Sequence, residues 1–195
     1  MTSMTTTVLP ASYYRVVGAA GFSNLADGVR LAAMPLLAWQ LTGSVLGVST
    51  VFVVGQLPSA VFGLSAGQLV DSVDRRRLIQ WVGAARTLVL VGLAALILTD
   101  AVFLGVLLLS TFLLGVGEVL ADLASSALVP QLVPDEHLER ANSGMVGAEI
   151  LGNEFVGPAV GAWLFAVGAW LPFMTNATLA CRYGSCGLGP SGLVS

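Results

Sequence analysis

Apolar stretches of about twenty residues or more follow one another along this chain, separated by short polar or turn-forming connections. A helix needs about 20 mostly apolar residues to cross roughly 30 Å of hydrocarbon. Five stretches meet that length: Val16 to Leu41, Leu46 to Val70, Leu78 to Leu98, Ala101 to Ala124 and Ser143 to Val167. A sixth begins near Ala169 and falters, because Arg182, scattered Gly and a Pro stand where apolar residues should continue. A soluble domain carries roughly 25% charged residues. This chain carries 10%, with no lysine and a mean hydropathy of +0.88. Lipid, not water, is the expected solvent.

Lipid offers the backbone no hydrogen bonds, so each crossing must satisfy its own amides. Length and the lack of strand-like alternation exclude a barrel, and the expected fold is an all-α polytopic transmembrane helical bundle. The links at Thr42 to Val45 and Thr99 to Asp100 make consecutive spans antiparallel neighbours. Arg15, Arg75, Arg76, Arg77, Arg140 and Arg182 fall on one side of an alternating model, and the opposite connections contain none. That side is the cytoplasm by the positive-inside rule. A multi-pass plasma-membrane protein with a cytoplasmic N-terminal tail over residues 1–15 is expected. The opening stretch lacks the basic start of a signal peptide.

Several function classes drop out. A net charge of −3 without long charge runs argues against nucleic-acid binding. The spacing of Cys181 and Cys186 is unlike a zinc or redox pair. No Ser-His-Asp set, metal-ligand cluster or phosphate-binding glycine loop stands out, so neither an enzyme nor a cofactor is expected.

Ionised residues near a helix centre cost about 2.5 to 3.5 kcal/mol on insertion scales, so they need partners or water. Asp27 and Arg30 share a face near the middle of the first span, where a local ion pair would be purely structural or would line a path. Glu118 and Asp122 share a face of the fourth span, leaving two like charges together unless a proton or a cation intervenes. Glu154 lies at mid-depth in the fifth span, and Glu149 nearer the cytoplasm. Arg86 stands within a few turns of the cytoplasmic end of the third span, from where it would snorkel. For Glu118, Asp122 and Glu154 the readings are a polar cavity or proton path, or glue between helices.

The stretch "GQLVDSVDRR", Gly67 to Arg76, packs charges into an oily chain. Asp71 ends the second span and the arginines open the third, so each charge meets the unfavourable end of its own helix dipole, and crossed pairing would relieve both. This stretch resembles the signature G-x-L-x-D-R-x-G-R-R/K between helices two and three of major facilitator superfamily transporters. The resemblance implies a cytoplasmic gate at Gly67, Asp71, Arg75 and Arg76, in which the acidic and basic groups latch the outward-facing state. Ser72 replaces the usual Arg and Asp74 the second Gly. "GPAVGAWL" from Gly157 resembles the G-P-x-x-G-G element of drug antiporters, with Ala162 in place of the last Gly. Gly157 and Gly161 also form a small-residue packing face, as do Gly63 and Gly67, and Pro158 would bend its helix. "ALVPQLVPDEHLERAN", Ala127 to Asn142, resembles the link between helices four and five in the exporter branch that includes macrolide and siderophore efflux proteins; His137 within it reads as a solvated loop residue.

In that superfamily helices one and four line the central path, which implies path roles for Asp27, Arg30, Glu118 and Asp122. The fourth span lacks the basic residue that many drug-proton antiporters carry there. Members have twelve helices in two halves, and this chain is one half long: a six-helix domain over 16–180 and an atypical tail over 181–195, disordered or out of frame after a truncation or frameshift. The expected function is proton-coupled efflux of a small organic molecule by alternating access, with a second half or a homodimer partner completing the path. The alternative is a membrane remnant that transports nothing, or a half-size subunit active only on assembly.

Overall fold

The computed structural model describes residues 11–62, 74–126 and 138–186. Every element among the described residues is helical: α1 (Ala11–Thr42), α2 (Val45–Phe62), α3 (Arg75–Leu98), α4 (Leu104–Ser126), α5 (Leu138–Glu149), a π-helical segment π1 (Ile150–Val156), α6 (Gly157–Val167) and α7 (Leu171–Cys186). Four rods among the described residues are long and apolar enough to cross a membrane: α2, Arg77–Leu98 in α3, Leu104–Ala124 in α4, and Asn142–Val167 running through α5, π1 and α6.

The expectation of five clear spans is corrected at α1. Its 32 residues would reach about 48 Å at a rise of about 1.5 Å per residue, yet its composition falls short of a lipid-facing rod. The reason is its position. α1 packs against α2, α4, α5, π1, α6 and α7, so protein rather than lipid covers most of its surface. Ala26, Asp27, Gly28, Val29 and Arg30 are consecutive buried residues, which only an interior helix can have. α7, at 16 residues, is short for a crossing. It nevertheless buries Phe173 and Asn176 completely and packs closely against both α1 and α3. The helix runs on to Cys186, past the point where the apolar pattern breaks.

Local chemistry sets the turns. Gly43 ends α1 in the left-handed region at φ +57, its N–H donating to Trp39 O at 2.8 Å, a conformation that favours glycine. Ser44 then caps α2 by accepting from the Leu46 N–H at 3.2 Å. With two residues between them, α1 and α2 are antiparallel neighbours, as the short link implies.

The apolar core gathers Met34, Leu37, Leu90, Leu93, Leu107 and Phe173 from α1, α3, α4 and α7. Large apolar residues are also exposed, among them Trp81, Leu88, Phe155 and Trp163. In water such a surface would aggregate; in a bilayer it is the solvent-facing side.

Glycine brings α1 against the fifth rod. A Cβ on Gly157 would lie 2.6 Å from Gly28 Cα, and one on Gly161 would lie 2.4 Å from Val29 O. Gly152 is as tight, 2.9 Å from Leu25 N by the same measure. Without a hydrophobic force between helices in lipid, this close backbone approach supplies the dispersion contact that holds them. Gly157 and Gly161 thus lie against Gly28 and Val29 of α1.

Pro158 has no N–H, and its ring crowds the carbonyl four residues earlier. The turn before it widens to π geometry, with the Gly157 N–H donating to Gly152 O. The disturbance expected at Pro158 thus takes the form of π1, which carries Asn153 towards the interior.

Candidate functional site

Four charged residues from three helices meet inside the bundle. Arg86 on α3 donates through Nη2 to Asp27 Oδ1, and Arg30 donates through Nη2 to Glu118 Oε2 on α4. Arg30 Nε stands 3.7 Å from Asp27 Oδ1, one turn away on α1. Asp27 and Arg86 are 2% and 4% exposed, so this pair is almost wholly buried. Glu118 is 25% exposed and is the most accessible member. Two cations face two carboxylates, so the cluster is electrically balanced. Burying such charges costs several kcal/mol per ion, and only pairing of this kind makes it tolerable.

Glycine also explains how Arg86 reaches its partner. α3 lies further from α1 than from α4, and the Arg86 stem crosses α4 at Gly117, where a Cβ would sit 2.8 Å from Arg86 Cγ. Any side chain at Gly117 would obstruct the arginine. The expectation that Arg86 snorkels to the cytoplasmic surface is corrected, because a buried carboxylate lies within its reach.

A cavity of about 200 Å³ opens beside this cluster, walled by α1, α2, α4 and π1. Asp27, Arg30, Glu118 and Asn153 form its charged end, and Met34, Pro35, Val51 and Phe52 its apolar end. Thr111 Oγ1 stands 3.5 Å from Met34 Sδ and donates to Leu107 O at 2.8 Å, so this hydroxyl is satisfied within its own helix. Gly55 and Thr111 keep α2 and α4 close along one side of the opening.

The sequence-derived candidates divide. Asp27, Arg30 and Glu118 come together. Asp122, one turn further along α4, is exposed, although the charges of Asp27, Glu118 and Glu149 are within electrostatic reach. Glu154 is exposed on π1, and its neighbour Asn153 lines the cavity instead. Gly67 and Asp71 lie outside the described residues, as do Gly63 and His137. Arg75 and Arg76 open α3. Asp74 Oδ1 accepts from the Arg77 N–H at 3.4 Å, an N-cap geometry at the position where the signature has glycine.

Asn176 went unnoticed in the sequence. It is wholly buried on α7 and donates through Nδ2 to Ala26 O at 2.5 Å, tying α7 to α1 beside Asp27, while its Oδ1 has no hydrogen-bond partner among the described residues. Interhelical hydrogen bonds in membranes average about 0.6 kcal/mol with a maximum of about 1.7, and replacement also removes the unsatisfied oxygen. Asn176→Leu should therefore lower unfolding free energy by no more than about 1.7 kcal/mol, measured by titrating SDS into mixed micelles; a much larger loss would mean that Oδ1 holds a partner of its own.

Comparison with known proteins fits this geometry. The model of a family described as transmembrane secretion effectors, a major facilitator group, matches residues 6–182. Macrolide efflux protein A of Streptococcus pyogenes is 27% identical over 160 residues, and the same protein from a serotype M6 strain of that organism matches equally. The alignment covers 80% of this chain and 38% of the relative, so the chain spans about two-fifths of the length of the curated relatives it matches. No solved structure matches. With most of its length matched by that model and its helices built for a bilayer, the chain belongs to the transmembrane secretion effector family of the major facilitator superfamily.

Proposed function

We propose that this bundle forms one wall of an exporter that moves a small organic molecule across the plasma membrane by alternating access, in exchange for protons. The observation that carries the reading is the cavity: a polar, partly charged opening between four helical segments whose outer faces suit lipid. A purely structural bundle has no need of an accessible carboxylate there, since Arg30 would be equally well neutralised by a sealed one. Family membership supports transport as the activity, and the name of the streptococcal relatives supports a macrolide as the first substrate to try.

In this reading a second bundle supplies the opposite wall, and the N-terminus faces the cytoplasm. Asp71, Arg75 and Arg76 form the cytoplasmic latch that the signature implies. Glu118, the accessible carboxylate, is the first group a proton or a substrate cation meets; Asp27, Arg30 and Arg86 fix its surroundings. Asp122 lies on the same path nearer the cytoplasm, and Glu154 faces away from it.

Vesicles reconstituted with the chain test the proposal, a second copy then serving as the opposite wall. Radiolabelled erythromycin should cross faster than in empty vesicles, accelerate under an imposed proton gradient, and return to the empty-vesicle rate with Asp71→Ala. Flux equal to that of empty vesicles for the unsubstituted chain would overturn it.

A further inference from the structure

A charged residue in the middle of a span normally faces the interior of its bundle or a water-filled opening, where it finds partners. Glu154 does neither. It stands at the middle of the 26-residue rod Asn142–Val167, and hence at mid-depth. Gly152, two residues earlier, is held against Asn24 and Leu25 of α1, and Asn153 lines the cavity. Two steps of about 90° each carry Glu154 to the side of the rod opposite α1. There its side chain is exposed, and no hydrogen bond or ion pair joins it to another described residue. Ile150, Leu151 and Phe155 around it are exposed as well. Less of this rod is buried than of α3 or α4, because α1 is its neighbour along most of its length.

Lipid tails offer a carboxylate neither a donor nor a countercharge, and Glu154 is not among the residues that line the cavity. What relieves such a group is a cation at the same depth on another helix, packed against the apolar residues that surround it. A second copy of this chain does not supply one. The chain has no lysine. Of the arginine side chains described, Arg30 and Arg86 are committed to carboxylates within the bundle, and Arg77 begins its span, far from mid-depth.

We propose that the outer face of the fifth rod, centred on Glu154, docks a transmembrane helix that is not contained in this sequence and that carries a basic residue at mid-depth. The guanidinium or ammonium of that helix donates to the Glu154 carboxylate. Ile150, Leu151 and Phe155 pack around the pair and keep lipid from it. In the low dielectric of the membrane interior the attraction is far stronger than at a wetted surface, and one such pair is enough to select the partner. This face lies opposite α1 and away from the cavity, so the docking is independent of any transport through the bundle.

Energy transfer in vesicles tests it. A leucine-rich transmembrane peptide of about 20 residues with one central arginine carries an acceptor dye, and the chain carries a donor dye on an N-terminal tag. Peptides with leucine or glutamate at the central position are the references. The arginine peptide should bind about tenfold more tightly than the leucine peptide, as expected for a hydrogen bond to a charged group. The glutamate peptide should bind no more tightly than the leucine one. Glu154→Leu should reduce the arginine peptide to the level of the leucine peptide.

Ratios between peptides on one variant do not depend on the fraction of protein that folds. Equal binding of the arginine and leucine peptides would mean that lipid covers Glu154, and would overturn the docking face. A preference for arginine that survives in Glu154→Leu would overturn it too, since the attraction would then come from the carboxylates of the cavity. Transfer between donor-labelled and acceptor-labelled copies of the chain that Glu154→Leu abolishes would show a second copy on this face, and would equally overturn the proposal. The measurement involves no flux, so it decides the docking face whether or not vesicles move erythromycin.

Discussion

Replacing Arg86 with methionine is expected to lower the unfolding free energy of the bundle by about 3 to 5 kcal/mol, the loss typical when one partner of a buried ion pair is removed. Asp27 is 2% exposed, and only the narrow cavity beside it could offer water when its partner goes. Arg30 compensates only in part, because its Nη2 is committed to Glu118 and its Nε, 3.7 Å from Asp27, makes an ion pair without a hydrogen bond. Volume is not the cause, since methionine fills most of the channel past Gly117. A loss of this size approaches the whole stability of a marginal protein, so the variant should also accumulate poorly in membranes. SDS titration in mixed micelles gives the free energy. A loss below about 1 kcal/mol, the range of a surface pair, would mean that water reaches Asp27.

Gly157→Leu should have an effect of similar size by a different route. A Cβ at this position would already lie 2.6 Å from Gly28 Cα, so the first carbon of any side chain meets backbone, which cannot rotate away as a flexible side chain can. α1 and the fifth rod must separate, and the loss extends to the Gly152 and Gly161 contacts on the same face. Overpacking costs about 1 to 3 kcal/mol where side chains can adjust, and occasionally more; here the upper part of that range or beyond is expected. Gly157→Ala should be intermediate and Gly18→Ala nearly neutral, because nothing lies within 4 Å of a Cβ at Gly18. Unfolding titrations on the three variants rank them. Equal tolerance of leucine at Gly157 and alanine at Gly18 would contradict the close approach of α1 to α6.

Much of the fold was legible because the bilayer imposes one rule, a run of apolar residues for each crossing, and α2, α3, α4 and the fifth rod obey it. α1 met the length but not the apolar composition, and α7 fell short of the length, for one reason. Their surroundings are other helices, so their sequences answer to partners rather than to lipid. The π geometry before Pro158 was not legible either, since a proline announces a broken ladder without saying how the backbone reorganises.

The candidate site was half legible. Charges inside apolar runs stood out, and Asp27, Arg30 and Glu118 do share a site. Which charge pairs with which depended on rotation and reach. Spacing suggested Asp27 with Arg30 on one helix face, and they do stand as an ion pair at 3.7 Å, but their hydrogen bonds go to Arg86 and Glu118 on other helices. One signal for Arg86 was present: Gly117 stands immediately before Glu118, a small residue beside a charge in the middle of a span. Glu154 and Asn153 show the remaining difficulty, because adjacent helical positions differ by about 100° and π geometry alters the phase.

The most direct test of a buried pair at the centre of this bundle is the coupling between Asp27 and Arg86. Unfolding free energies are needed for Asp27→Leu, Arg86→Met and the double variant, all in the same mixed micelles. Each single change should cost about 3 to 5 kcal/mol. The double variant should recover most of that loss, because Arg30 and Glu118 still balance each other and no uncompensated charge remains. Additive losses, with the double variant as unstable as the two single changes summed, would contradict the pairing.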